Sequence, residues 1–158
     1  MVRPFLAAAL TATLAAAPPL HGQAPEWFGT WRLNLEQSVY TPGPAPYRRA
    51  AMRVEPRDGM VRVAYDYVFP RGGVQHLEWT GRFDGRDYAL QGADEFITYA
   101  YRPAGERTYE IVAKLDTRVT AVATATLSED GRTITTVTRG RNARGQDVTN
   151  VTVYDRMH

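Results

Sequence analysis

Residues 60 to 69 alternate strictly. Val61, Val63, Tyr65, Tyr67 and Phe69 share one parity, and Arg62, Ala64 and Asp66 take the other. A period of two with one apolar side predicts a strand with one face buried and one in solvent. The following segment repeats the logic, with Leu77, Trp79 and Phe83 set against His76, Glu78, Thr80 and Arg82. Reading on in this way predicts ten strands: 27–35, 49–56, 60–69, 74–83, 87–91, 95–102, 107–114, 117–128, 132–139 and 147–156. Turn chemistry separates most of them, as at Arg57-Asp58-Gly59, Pro70-Arg71-Gly72-Gly73, Asp84-Gly85, Pro103-Ala104-Gly105, Glu129-Asp130-Gly131 and Ala143-Arg144-Gly145. Glycine after aspartate supplies the positive φ of a tight hairpin. Outside the N-terminal stretch no window keeps helical spacing over three turns. The expectation is an all-β chain, an antiparallel up-and-down β-barrel of about ten strands, since closure removes exposed edges.

The same parity suggests what the interior holds. Tyr65, Tyr67, Trp79, Tyr99 and Tyr101 lie on apolar faces but carry polar tips, so they pack as hydrophobes and still offer a hydrogen bond. Segment 117–128 puts Val119, Ala121, Ala123, Ala125 and Leu127 on one face, and alanines facing inward leave space. The last segment puts Asn150, Thr152 and Tyr154 on one face and Val151 and Val153 on the other; spacing alone allows either face to point inward. Thr41-Pro42-Gly43-Pro44-Ala45-Pro46 is neither helix nor central strand. It reads as a stiff extended connection, either a plain crossover loop or a cover for one end of the barrel.

Composition changes this picture in three ways. Residues 1–24 begin with a short positive stretch to Arg3, continue apolar from Phe5 to Ala17 and end in Gly22-Gln23-Ala24. This is the pattern of a signal peptide cleaved near 22–24, and it is too short for a membrane span of ~20 residues. The remaining 25–158 is then a single barrel domain, exported to the periplasm or secreted, with no membrane span of its own. Loss of Arg3 takes the formal net charge from +2 to +1, with arginines scattered, which is no footprint for nucleic acid. Finally, the 158 residues hold no cysteine and three histidines, of which His76 is the one inside the barrel pattern. A Cys–His pair and a histidine-rich metal site are therefore excluded. His76 falls on a charged face, Asp94-Glu95 and Glu129-Asp130 fall in turns, and Ser38 and Ser128 sit in no nucleophile elbow. No catalytic constellation, metal site or cofactor is expected.

Phe28-Gly29-Thr30-Trp31-Arg32-Leu33, with Ser38 following, resembles the opening strand of the lipocalin and fatty-acid-binding-protein superfamily, the calycins. Val153-Tyr154-Asp155-Arg156 resembles the closing strand of the fatty-acid-binding branch. The chain as a whole is similar to bacterial secreted lipocalin-like proteins of uncharacterised function. The resemblance implies that Gly29 and Trp31 form the structural floor of the barrel. It also implies that Tyr154 points inward, and Asn150 and Thr152 with it. In that branch an inward Arg-x-Tyr pair holds a carboxylate; Tyr154 matches the tyrosine, but the arginine position falls at Thr152. The branch's helical lid is replaced by the proline-rich segment. The expected function is therefore binding of a small hydrophobic or amphipathic molecule by Tyr65, Tyr67, Trp79, Tyr99, Tyr101, Asn150, Thr152 and Tyr154, in a monomer. The alternative is a packed barrel serving as a structural or protein-interaction module. An outer-membrane barrel fits poorly, because 87–91 is too short to span and Arg62, Asp66, Glu78 and Arg82 face outward.

Overall fold

A computed structural model describes residues 25–142 and 144–158; the predicted signal peptide lies outside them. A one-turn 3-10 helix, Pro25–Trp27, leads into eleven strands. They are β1 (Gly29–Leu33), β2 (Val39–Thr41), β3 (Arg49–Arg57), β4 (Met60–Val68), β5 (Val74–Gly81), β6 (Tyr88–Gln91), β7 (Ile97–Gly105), β8 (Thr108–Leu115), β9 (Arg118–Leu127), β10 (Thr133–Arg141) and β11 (Asp147–Arg156). From β3 to β11 every strand pairs antiparallel with its successor. β1 pairs with β3 on one side and with β11 on the other, which closes the barrel. The meander thus meets end to end, with Trp31 opposite Arg156 and Leu33 opposite Tyr154.

The ten predicted strands are all present, and β2 is an eleventh. It continues upward where β1 leaves off, pairing Val39, Tyr40 and Thr41 with Val151, Asn150 and Thr149. Three residues followed by proline carry too little periodic signal to be read as a strand. Two other boundaries differ from expectation. The first predicted strand is shortened because its start is the 3-10 turn. Pro103-Ala104-Gly105 is not a turn but the end of β7, where the ladder to β8 shifts register, so the reversal falls at Glu106 and Arg107. The Asp58-Gly59 hairpin is as expected: both residues have positive φ, 48° and 75°, as a two-residue turn matching the strand twist requires.

Hairpins alternate between two ends. One end, the floor, holds the N-terminal turn, the β3–β4 and β9–β10 turns and the C-terminus. The other, the mouth, holds 42–48 and the β4–β5, β6–β7, β8–β9 and β10–β11 connections. Near the floor the interior is a solid core, with Trp31, Trp79, Val61, Leu127 and Ile134 fully buried. The outer wall is polar where the alternation predicts it. On β3–β5, Arg62 bridges Glu55 at 2.7 Å and Glu78 at 2.5 Å. Val153 is an exception, an outward residue that is nonetheless buried. The chain between β1 and β2 binds back there, with Asn34 donating to the Val153 carbonyl and the Val153 N–H donating to Ser38 Oγ.

Candidate functional site

Above the core the inward residues no longer meet, and a cavity of about 290 Å³ remains. Its depth follows the β10–β11 register. Ile134 and Tyr154 pair at the bottom, Thr136 and Thr152 at mid-height, and Thr138 and Asn150 toward the mouth. β9 presents Ala125 beside Thr136, Ala123 beside Thr138 and Ala121 one level higher, beside Gly140, with Ala113 of β8 next to Ala121. A wall of methyl groups therefore runs next to a stripe of hydroxyl and amide groups. On the other side stand Tyr65 and Tyr67 of β4 and Tyr99 and Tyr101 of β7. The floor is aromatic: Trp27 meets Tyr109 edge-on at 5.0 Å between centroids, and Phe83 lies 4.5 Å from Tyr109 and 5.2 Å from Tyr101.

The proline-rich connection contributes to the site. It carries Pro46 and Tyr47 to the cavity wall, and Tyr40 arrives from β2. Tyr47 stacks on Tyr67 with centroids 4.3 Å apart and planes 23° from parallel. The connection thus contributes part of the cavity wall near the mouth.

Eight of the chain's nine tyrosines line this space. The hydroxyls of Tyr65 and Tyr101 hydrogen-bond at 2.9 Å across the interior. Burial raises the phenol pKa of both, and neighbouring tyrosines push Tyr65 further. Burial does the same for Tyr67 and Tyr154 and pushes Tyr99 to about 12. All five phenols are uncharged at neutral pH. No aspartate, glutamate, lysine, arginine or histidine is among the described residues that line the cavity. Among the described residues no cluster of three acidic or histidine side chains is placed to hold a metal ion. His76 sits on the outer wall, bonded to Asp66 at 2.7 Å.

Of the residues singled out from the sequence, Tyr65, Tyr67, Tyr99, Tyr101, Asn150, Thr152 and Tyr154 come together around the cavity. Trp79 does not. It points inward as its parity predicts but sits below the cavity, fully buried, its indole N–H donating to the Tyr99 carbonyl at 3.1 Å. Phe83, Tyr88 and Tyr101 surround its ring. Val119 also departs from the pattern. The β8–β9 register shifts next to Ala113 and Lys114, so Val119 is half exposed, at 51 %. Trp27, Tyr40, Tyr47, Tyr109, Thr136 and Thr138 line the cavity and escaped the sequence reading. For Thr136 and Thr138 a signal existed: they share parity with Ile134, whose burial would have turned them inward.

No family model matches the sequence, and no curated protein matches it. Among solved structures, zebrafish ileal bile acid-binding protein complexed with cholic acid superposes with a TM-score of 0.50 at 9% identity, over 84% of this chain and 99% of that one. The fold is calycin-like. The likeness runs nearly the full length of the matched chain, so it concerns the closed barrel as a whole and not one hairpin. Within this barrel the two motifs at the ends of the chain are neighbours. The Arg156 guanidinium lies over the Trp31 ring, 4.1 Å from its centroid, and donates to the carbonyls of Phe28 at 2.8 Å and Gly131 at 2.7 Å and to that of Glu26. Trp31 in turn donates to the Trp27 carbonyl at 3.1 Å. Trp31 and Gly29 thus lie in the packed floor, and Trp27 is the tryptophan that meets the cavity.

Proposed function

We propose that this calycin-like chain is an exported barrel that binds one small, partly apolar molecule in its interior. The observation that carries the reading is the cavity, about 290 Å³ with an aromatic wall, a methyl wall and a polar stripe. That volume lies at the lower edge of the ~300–1,000 Å³ usual for small-molecule sites, and mostly apolar walls with a few convergent polar groups are their usual lining. Polar groups facing a largely apolar space need partners, and a ligand or water supplies them. Support also comes from the solved neighbour, whose structure holds cholic acid. An acid of that kind is not the expected ligand here. Thr152 stands where an arginine would hold a carboxylate, and no cation is among the described residues that line the wall.

Binding is tested by native mass spectrometry of protein purified from its host, together with tryptophan fluorescence against neutral apolar probes such as 1-decanol and 2-naphthol. Trp27, at the cavity floor, is the reporter. A mass adduct or a saturable fluorescence change is expected. A bare mass with no response to any probe would favour the packed structural module instead. Export rests on the pattern of residues 1–24. It predicts that the protein in the periplasm or medium starts near Pro25; an intact N-terminus in the cytoplasm would refute that part alone.

A further inference from the structure

The walls of the cavity differ enough to indicate a ligand class. We propose that the site selects uncharged, planar aromatic molecules carrying one polar group, a conclusion that rests on the interior being a ligand site.

Three observations lead there. The first is charge. The described residues of the wall include no ionised group, and its phenols stay protonated. An ion entering would lose its hydration and gain no counter-charge. The second is shape. The rings of Tyr65 and Tyr67 are parallel within 5°, with centroids 6.0 Å apart, and Tyr47 extends the stack over Tyr67. Across from them Ala121, Ala123 and Ala125 offer only methyl groups. Rings stacked on one another turn their edges to the space they line, and a flat aromatic ring takes those edges against its face in T-shaped contacts that a saturated ring cannot make. A cavity of ~150 Å³ is known to hold benzene, and this one is about twice that, which suits two fused rings. The third is the polar stripe. Asn150 Oδ1 accepts from the Thr41 N–H at 3.4 Å, and the side chain lines the cavity. Thr152 donates one long bond, 3.5 Å to the Thr136 carbonyl, and Thr136 and Thr138 line the cavity beside it. One edge of the ligand therefore meets donors and acceptors, and its face meets tyrosines.

The test is calorimetric titration of the full mature protein at neutral pH with four probes. These are 2-naphthol (flat, neutral), 2-naphthoate (flat, anionic), trans-2-decalol (the saturated, puckered analogue) and 1-decanol (flexible, neutral). 2-Naphthol is expected to bind at least ~10-fold tighter than 2-naphthoate, whose charge is stranded, and ~10-fold tighter than the decalol, which offers no aromatic face to the ring edges. Equal affinity for naphthoate overturns the selection against charge, and equal affinity for decalol overturns the selection for planarity. Binding of decanol without either bicyclic alcohol overturns the inference yet leaves the interior a ligand site. No heat with any of the four overturns both. Ala123→Leu narrows the cavity at the level of Thr138 and should abolish naphthol binding with the circular dichroism spectrum unchanged. Ala121→Leu, nearer the mouth and only half-buried, does the same if the first variant folds poorly. Full naphthol affinity in a folded variant places the binding elsewhere and overturns the proposal.

Discussion

Arg156 is one residue on which the floor of the barrel depends. Its guanidinium satisfies the carbonyls of Glu26, Phe28 and Gly131 and covers the Trp31 ring. Lysine keeps the charge but not the planar fork, so it cannot reach several carbonyls and stack at once. Arg156→Lys should cost about 1–3 kcal/mol from the lost stacking and the stranded carbonyls. Urea unfolding measures it, and a midpoint equal to wild type would show that the stack contributes nothing. Gly29 answers to the same side chain. Its φ is +146°, and a Cβ there would stand 2.7 Å from Arg156 Nη1. Gly29→Ala should cost about 1–3 kcal/mol in backbone strain and displace the guanidinium, seen as a lower unfolding midpoint and a changed Trp31 emission. An unchanged midpoint would mean that the backbone relaxes freely. These contacts also show what was legible in the chain. Gly-x-Trp and the final arginine were each readable as motifs, but nothing in their spacing says that one lies on the other. Trp79 shows the converse: parity gives the direction of a side chain and not its height, so an inward tryptophan was placed at the cavity when it sits beneath.

Strands are where periodicity serves best, and where its failures have physical causes. β5 follows it throughout and β4 everywhere but at Ala64, an outward residue that is buried, because one face packs and the other carries charge. β9 follows it from Ala121 to Leu127 and loses it at Val119, because a register shift resets parity without leaving a mark in composition. β2 was unreadable for a different reason. Three residues cannot establish a period, and its pairing with β11 is long-range. The junction from β1 to β2 is held by Ser38, whose hydroxyl donates to the Asn34 carbonyl at 2.6 Å and accepts from the Val153 N–H at 3.0 Å. This one side chain fills the place in the β11 ladder that a continuous strand would occupy. Ser38→Ala leaves the Val153 amide without its acceptor and should cost about 1–3 kcal/mol. The loss should appear in hydrogen exchange as faster exchange at Val153 and the β2 pairings, with β4 and β5 still protected. Uniform loss of protection across the barrel would instead mean that the seam is part of one cooperative unit.

At the scale of the whole molecule, the barrel concentrates its tyrosines. Eight lie around one cavity and the ninth, Tyr88, packs against Trp79. Their distribution was only half legible, since β-strand parity identified Tyr65, Tyr67, Tyr99 and Tyr101, while Tyr40 and Tyr47 come from a connection whose path no local pattern encodes. The concentration has a consequence for pH. Burial raises the phenol pKa, to about 12 for Tyr40 and Tyr99 and above the ordinary value for Tyr47, Tyr65, Tyr67, Tyr101 and Tyr154 as well. In the unfolded chain each ionises near pH ~10. A group whose folded pKa lies above its unfolded value supports the fold fully below the unfolded pKa, and that support is lost as pH rises toward the folded one. Stability should therefore hold to about pH 10 and fall steeply over the next two pH units, steeper than one tyrosine alone could produce because several ionise on unfolding. Phenolate absorbance and far-ultraviolet circular dichroism, followed together through the titration, should change in a single cooperative step. In strong urea the same absorbance should rise gradually around pH ~10. Nine tyrosines titrating near pH ~10 with the β-sheet spectrum intact would mean that water and hydroxide already reach the cavity wall, and the enclosed aromatic site would not exist as described.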